Sequence, residues 1–193
     1  LADVEEEENR PREKKRYNAS NLVVPPDYYN VLGKCNTHHW FPLVSARCSQ
    51  TFKLTYFEAE CIVRSSKMYD ITRRLSEQFL DEREDLIRRI HKEICFEGGG
   101  YFVRGSRCSP KYSMHGVGPY GNAQQLVESL MSQCSNHICV GTCDDERTLY
   151  FFKWDPRLEN RGYEFRVFVR DGTITAISQQ EWFEHIRALD DWD

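Results

Sequence analysis

The chain contains no apolar run approaching the roughly 20 residues that a membrane-spanning helix needs, and no basic-then-apolar leader opens it. It also has no basic excess: 26 Lys+Arg stand against 30 Asp+Glu, for a formal net charge of −4. That balance lacks the electrostatic footprint of a nucleic-acid binder, so neither a nucleic-acid nor a membrane partner is expected. Paired Cys-x2-Cys knuckles are missing as well, although eight cysteines are present. With nothing directing the chain to an oxidising compartment, the reading is eight free thiols, several of them buried. The expected location is the cytoplasm, with an organellar assembly as the open alternative. Asn18-Ala19-Ser20 matches a glycosylation acceptor, which has no consequence in that compartment.

What is present is enough for one core. The chain has 193 residues, of which 40% are hydrophobic and 13% aromatic, which excludes disorder throughout and suggests one ordinary domain. Residues 1–21 read as a charged flexible tail: Glu5 to Glu8 are followed by Arg10, Arg12, Lys14, Lys15 and Arg16 with almost no apolar anchor. The domain is expected over 22–193. Val23-Val24-Pro25-Pro26 is extended because proline restricts itself and its predecessor. The apolar cluster from Trp40 and Phe41 to Val44 is expected to enter the core.

Two helices are predicted. Over 70–95, Ile71, Leu75, Phe79, Leu86, Ile87, Ile90 and Ile94 recur at three- and four-residue steps, with Asp70 as N-cap and Gly98-Gly99-Gly100 as the stop. Over 122–133, Ala123, Leu126, Val127, Leu130 and Met131 share one side. Tyr101 to Arg104 reads as a short strand leading into a Ser-, Gly- and Pro-rich loop over 105–119.

The last third is β-rich. Leu149 to Trp154 is strand-like, and the strands over 163–170 and 173–179 flank Asp171-Gly172, a strong hairpin signal. A two-residue loop pairs Arg170 with Thr173, Phe168 with Thr175, Arg166 with Ile177 and Glu164 with Gln179. One face then carries Phe165, Val167, Val169, Ile174 and Ala176 and is predicted to be core. The other carries Glu164 and Arg166, about 7 Å apart along the strand. Their bland reading is a solvated ion pair on a half-exposed face. The sharper one has Arg166 on a phosphate oxygen and Glu164 orienting it or a metal, with Arg104 as a second phosphate contact.

Cys134, His137, Cys139 and Cys143 bring four metal-competent side chains within ten residues. Their spacing is not that of a finger or ribbon, so zinc is the lesser reading and ordinary thiols the greater. His38, His39 and His115 have no partners at metal spacing and read as surface residues.

The run Tyr163-Glu164-Phe165-Arg166-Val167-Phe168-Val169-Arg170, followed by Thr175-Ala176-Ile177-Ser178-Gln179, resembles a block of the cell division cycle protein 123 family. Tyr101-Phe102-Val103-Arg104 with Ser109-Pro110-Lys111 resembles that family's basic-ending strand and Ser-x-Pro loop. Leu149 to Trp154 resembles its Lys-Trp-ending strand, and Trp182 to Ile186 its aromatic segment ending in His-Ile. The four blocks occur in order over roughly residues 98–186, and Trp40-Phe41-Pro42 resembles the family's N-terminal aromatic motif.

The resemblance implies an α+β, ATP-grasp-like fold in which antiparallel sheets with packed helices hold a nucleotide. It puts Arg104 near the phosphates, Lys153 and Trp154 at the segment whose backbone reads adenine, and Glu164 and Arg166 in the cleft. It implies ATP as ligand, a role as assembly chaperone, and the gamma subunit of eukaryotic translation initiation factor 2 as partner. The family's magnesium-holding Asp strand and Asp-x-Asn motif have no counterpart in Leu189-Asp190-Asp191-Trp192-Asp193, so the C-terminal lobe is expected to be incomplete. Without those ligands an ATP-dependent ligase or kinase is the least favoured reading. The main rival is a structural subunit of a large assembly that keeps the fold and has lost the nucleotide.

Overall fold

A computed structural model describes residues 33–134, 137–159 and 165–179, all within one unit of the chain, 33–193. The tail over 1–21, the extended stretch 23–26, Glu164, the segment 182–186 and the terminal aspartates lie outside the described residues.

In chain order the elements are α1 (Thr37–Val44), β1 (Cys48–Lys53), α2 (Tyr56–Thr72), α3 (Leu80–Glu93), β2 (Tyr101–Arg104), α4 (Ala123–Met131), β3 (Thr148–Lys153), β4 (Phe165–Arg170) and β5 (Thr173–Gln179). The α+β class predicted from sequence is observed. Strands β1, β3 and β2 form an antiparallel sheet in that order, while β4 and β5 form a separate antiparallel pair.

The predicted single helix over 70–95 is two helices. A capping box starts α2: the Glu58 amide donates to the Thr55 hydroxyl (3.2 Å) and the Thr55 amide donates to the Glu58 carboxylate (2.6 Å). Arg73, at φ 56°, turns left-handed and ends α2, its amide donating to the Tyr69 carbonyl at 2.8 Å. Asp70 therefore sits in the last turn of α2, paired with Arg73 at 3.3 Å, rather than at a helix N-terminus. Ile71 is correspondingly exposed rather than core. Leu86 and Ile90 do face inward as their spacing requires. The helix predicted over 122–133 forms as α4, with the Asn122 side chain accepting from the Gln125 amide.

The core lies between one face of the sheet and the three longer helices. Phe52, Tyr101, Val103, Leu149 and Phe151 pack with Ala59, Ile62, Leu86, Ile90, Leu126, Val127 and Leu130. Each of the large aliphatic side chains contributes about 1.5–3 kcal/mol by leaving water. The buried Ser65 and Ser66 of α2 donate to the Met131 and Leu130 carbonyls, satisfying acceptors that the end of α4 leaves open. His115 is exposed, as expected of a surface residue, and its 2.7 Å contact with Glu128 ties the loop over 105–119 to α4.

The Asp171-Gly172 hairpin forms, with φ of 51° and 75° as a type I′ turn requires. Its register differs from the predicted one. The ladder shifts between Phe168 and Val169, so Phe168 pairs with Ala176, Val167 with Ile177 and Arg166 with Ser178. The extra residue on β5 is Thr175, whose hydroxyl donates to the Phe168 carbonyl (3.2 Å). Ile177 thereby joins Val167, Val169 and Ile174 on the apolar face, and Ala176 moves to the face of Arg166 and Phe168. The apolar face is not core: Val169 is 61% and Ile177 60% exposed.

All eight cysteines are free thiols. Only Cys61 and Cys139 are buried, whereas Cys95, in an apolar stretch of sequence, is exposed.

Candidate functional site

Strand alternation sends the side chains that avoid the core to the second face of the β1–β3–β2 sheet. There the register sets Phe102 beside Phe152, Arg104 beside Tyr150, and Cys48 beside Phe152. The Phe102 and Phe152 ring centroids are 6.2 Å apart. The result is an aromatic surface with one guanidinium at its edge.

Helix α1 lies against this surface. The cluster from Trp40 to Val44, predicted to enter the core, instead forms α1, in which Thr37 alone is buried and Leu43 is 86% exposed. Phe41 packs on Tyr150 with tilted rings, 4.4 Å between centroids, and the Trp40 ring centroid lies 5.2 Å from the Arg104 guanidinium carbon. Thr37 is fixed by its amide, which donates to the Ser106 carbonyl at 2.6 Å, and by its hydroxyl, which donates to the Gly105 carbonyl at 2.9 Å. The same hydroxyl oxygen accepts from Arg104 Nε at 3.0 Å.

Arg104 is half-buried, and burial holds its guanidinium below the ordinary arginine range, the nearby Cys108 and Cys139 thiols opposing the shift. Among the described residues no carboxylate pairs with it; its polar partner is the neutral Thr37 hydroxyl. A partly desolvated cation without a counter-ion is costly unless a ligand supplies the charge. Its neighbour Arg107 differs, forming a fork with Glu146 at 3.0 and 2.8 Å. Gly105 is required between them, because a Cβ there would lie 2.2 Å from the Cys139 carbonyl oxygen.

The other sequence-predicted positions are dispersed. Lys153 ends β3 opposite Tyr101, three residues along the ladder from the Arg104–Tyr150 pair, or about 10 Å, and on the other face. It is exposed. Trp154 is half-buried; its amide donates to the Gly100 carbonyl (3.1 Å) and its indole Nε1 to Glu159 (3.3 Å). The amide that the resemblance would offer to adenine is thus engaged within the chain. Arg166 is exposed on the β4–β5 pair, and Glu164 lies outside the described residues.

Cys134, His137, Cys139 and Cys143 do not converge. Cys139 is fully buried, and burial pushes its thiol far above the usual range. The His137 ring packs on Tyr112 at 4.6 Å, and Cys143 is exposed. Among the described residues, no group of three or more His, Cys, Asp or Glu could hold a metal ion.

Sequence reasoning singled out Arg104 but missed Thr37, which no motif marks, and assigned Trp40 to the core. The Trp40-Phe41-Pro42 run was the available signal for an aromatic face.

No family model matches the chain, and no curated protein matches it. What the elements define is an α+β fold of antiparallel sheets with helices packed on them, and that fold occurs in solved structures. The chain shares it with Cdc123 from Schizosaccharomyces pombe, at a TM-score of 0.54 and 19% identity over 83% of this chain and 67% of that one. The C-terminally truncated Cdc123 from the same organism matches with a TM-score of 0.52 and 18% identity, covering 79% of this chain and 65% of that one. The chain therefore spans about two thirds of the structures it matches, and at this identity the likeness is one of fold.

Proposed function

We propose that the chain is an ATP-grasp-like nucleotide-binding module that acts as a protein-assembly chaperone. The observation that carries the nucleotide half is Arg104, a half-buried guanidinium without a carboxylate partner among the described residues, at the edge of an aromatic surface. A phosphate supplies the missing charge, and the aromatic rings suit a base. The Cdc123-like fold supports the chaperone half. By that resemblance the partner is the gamma subunit of eukaryotic translation initiation factor 2. The described residues offer no metal cage, so no step is assigned to magnesium.

ATP at millimolar concentration, with and without magnesium, is expected to raise the melting temperature, since a ligand bound only by the native state stabilises it. Arg104→Ala should abolish the rise. A parent protein that shows no shift removes the nucleotide reading. One observation favours a second reading, a structural subunit that has lost the ligand: Arg166, the other expected phosphate contact, is exposed. That reading predicts stable capture by a multiprotein complex without any nucleotide dependence.

A further inference from the structure

The phosphate contact assigned to Arg104 is held from outside its own strand. One edge of the guanidinium, Nε, donates to the Thr37 hydroxyl at 3.0 Å, and its central carbon lies over the Trp40 ring, 5.2 Å from the centroid. Both residues come from α1, 64 or more positions earlier in the chain. We propose that Thr37 and Trp40 are positioning residues of the anion site, orienting Arg104 so that its two terminal amino groups meet the phosphate end-on. This inference rests on the nucleotide reading above and extends the site to an element that reading does not include.

The chemistry of Thr37 makes the arrangement specific. Its hydroxyl proton is committed to the Gly105 carbonyl at 2.9 Å, so the oxygen is left as an acceptor facing the arginine. It is a neutral acceptor, which fixes the guanidinium without cancelling its charge; a carboxylate there would do both. A guanidinium has five N–H donors, and Thr37 takes the one on Nε. The remaining four, on the two terminal nitrogens, are left for a bidentate contact. Holding a long side chain in its bound geometry beforehand removes an ordering cost from binding. The buried Thr37 amide, bonded to the Ser106 carbonyl at 2.6 Å, keeps α1 in register with the strand end it serves.

Calorimetric titration of the full chain with ATP, and separately with adenosine, tests the assignment. Thr37→Val keeps the shape and removes the acceptor; it is expected to weaken ATP binding about tenfold, the scale of one hydrogen bond to a charged group. Thr37→Ser should restore parental affinity, and Thr37→Asp should abolish ATP binding. Adenosine, which carries no phosphate, should bind all variants as it binds the parent, a pattern that a merely loosened fold would not give. Should Thr37→Val fail to fold, Trp40→Leu serves in its place, with a several-fold loss for ATP alone. Unchanged ATP affinity in the folded variants overturns the positioning role and leaves the nucleotide reading standing. A parent that does not bind ATP overturns both.

Discussion

Glu58 shows how one side chain can join three parts of this molecule. Its carboxylate closes the capping box of α2 and receives a fork from Arg89 of α3 at 2.7 and 2.6 Å. Arg89 also donates to the Lys53 carbonyl at 2.9 Å and lies over the Phe52 ring at 4.1 Å, which ties both helices to β1. Burial pushes the Glu58 carboxyl up, but hydrogen bonds from Arg89 and Thr55 outweigh it and the net shift is downward. A carboxyl depressed in the folded state adds stability above its unfolded pKa and loses it as pH falls through the folded value. Urea unfolding should therefore show Glu58→Gln costing about 2 kcal/mol at neutral pH, a penalty that fades below roughly pH 4. Gly105 is the second sensitive residue. With a carbonyl oxygen 2.2 Å from where a Cβ would sit, Gly105→Ala should lower stability by about 1–3 kcal/mol or more by forcing the backbone apart.

At the scale of elements, α4 was legible because propensity, cap and apolar spacing agree over a single segment. The 70–95 stretch reads as one helix because its apolar spacing continues through a break. Leu75 and Phe79 keep the period and are partly buried, yet the backbone between α2 and α3 leaves the helix at Arg73. Periodicity reports which residues face inward, not whether the chain between them stays helical. The Thr55-x-x-Glu58 signature marks the start of α2 in the sequence itself. Thr55→Ala should cost about 1 kcal/mol by the same unfolding measurement. In the hairpin, the turn residues were decisive but the register was not, because an extra residue on one strand leaves no compositional mark. The exposure of the β4–β5 apolar face gives a direct comparison. Ile177→Ser should change stability by no more than about 0.5 kcal/mol, while the fully buried Ile90→Ala should cost about 2–5 kcal/mol. Comparable losses at both positions would mean that the hairpin face is packed in solution.

For the whole molecule, family-like blocks pointed to the fold that the solved structures share, whereas the candidate site emerged only in part. Arg104 could be named from its strand, but its partners come from α1, and contacts across so many residues leave no local trace. No helix among the described residues is long and apolar enough to cross a membrane. The arrangement of thiols has a practical consequence. Burial raises the Cys61 thiol to about 11 and removes Cys139 from solvent altogether, while Cys35, Cys95 and Cys143 remain open to reagent. Iodoacetamide should thus modify the latter three within the native protein and reach the first two only when the core opens. Peptide-resolved alkylation then reads the frequency of global opening from native cysteines, without a dye, a tag or an added denaturant.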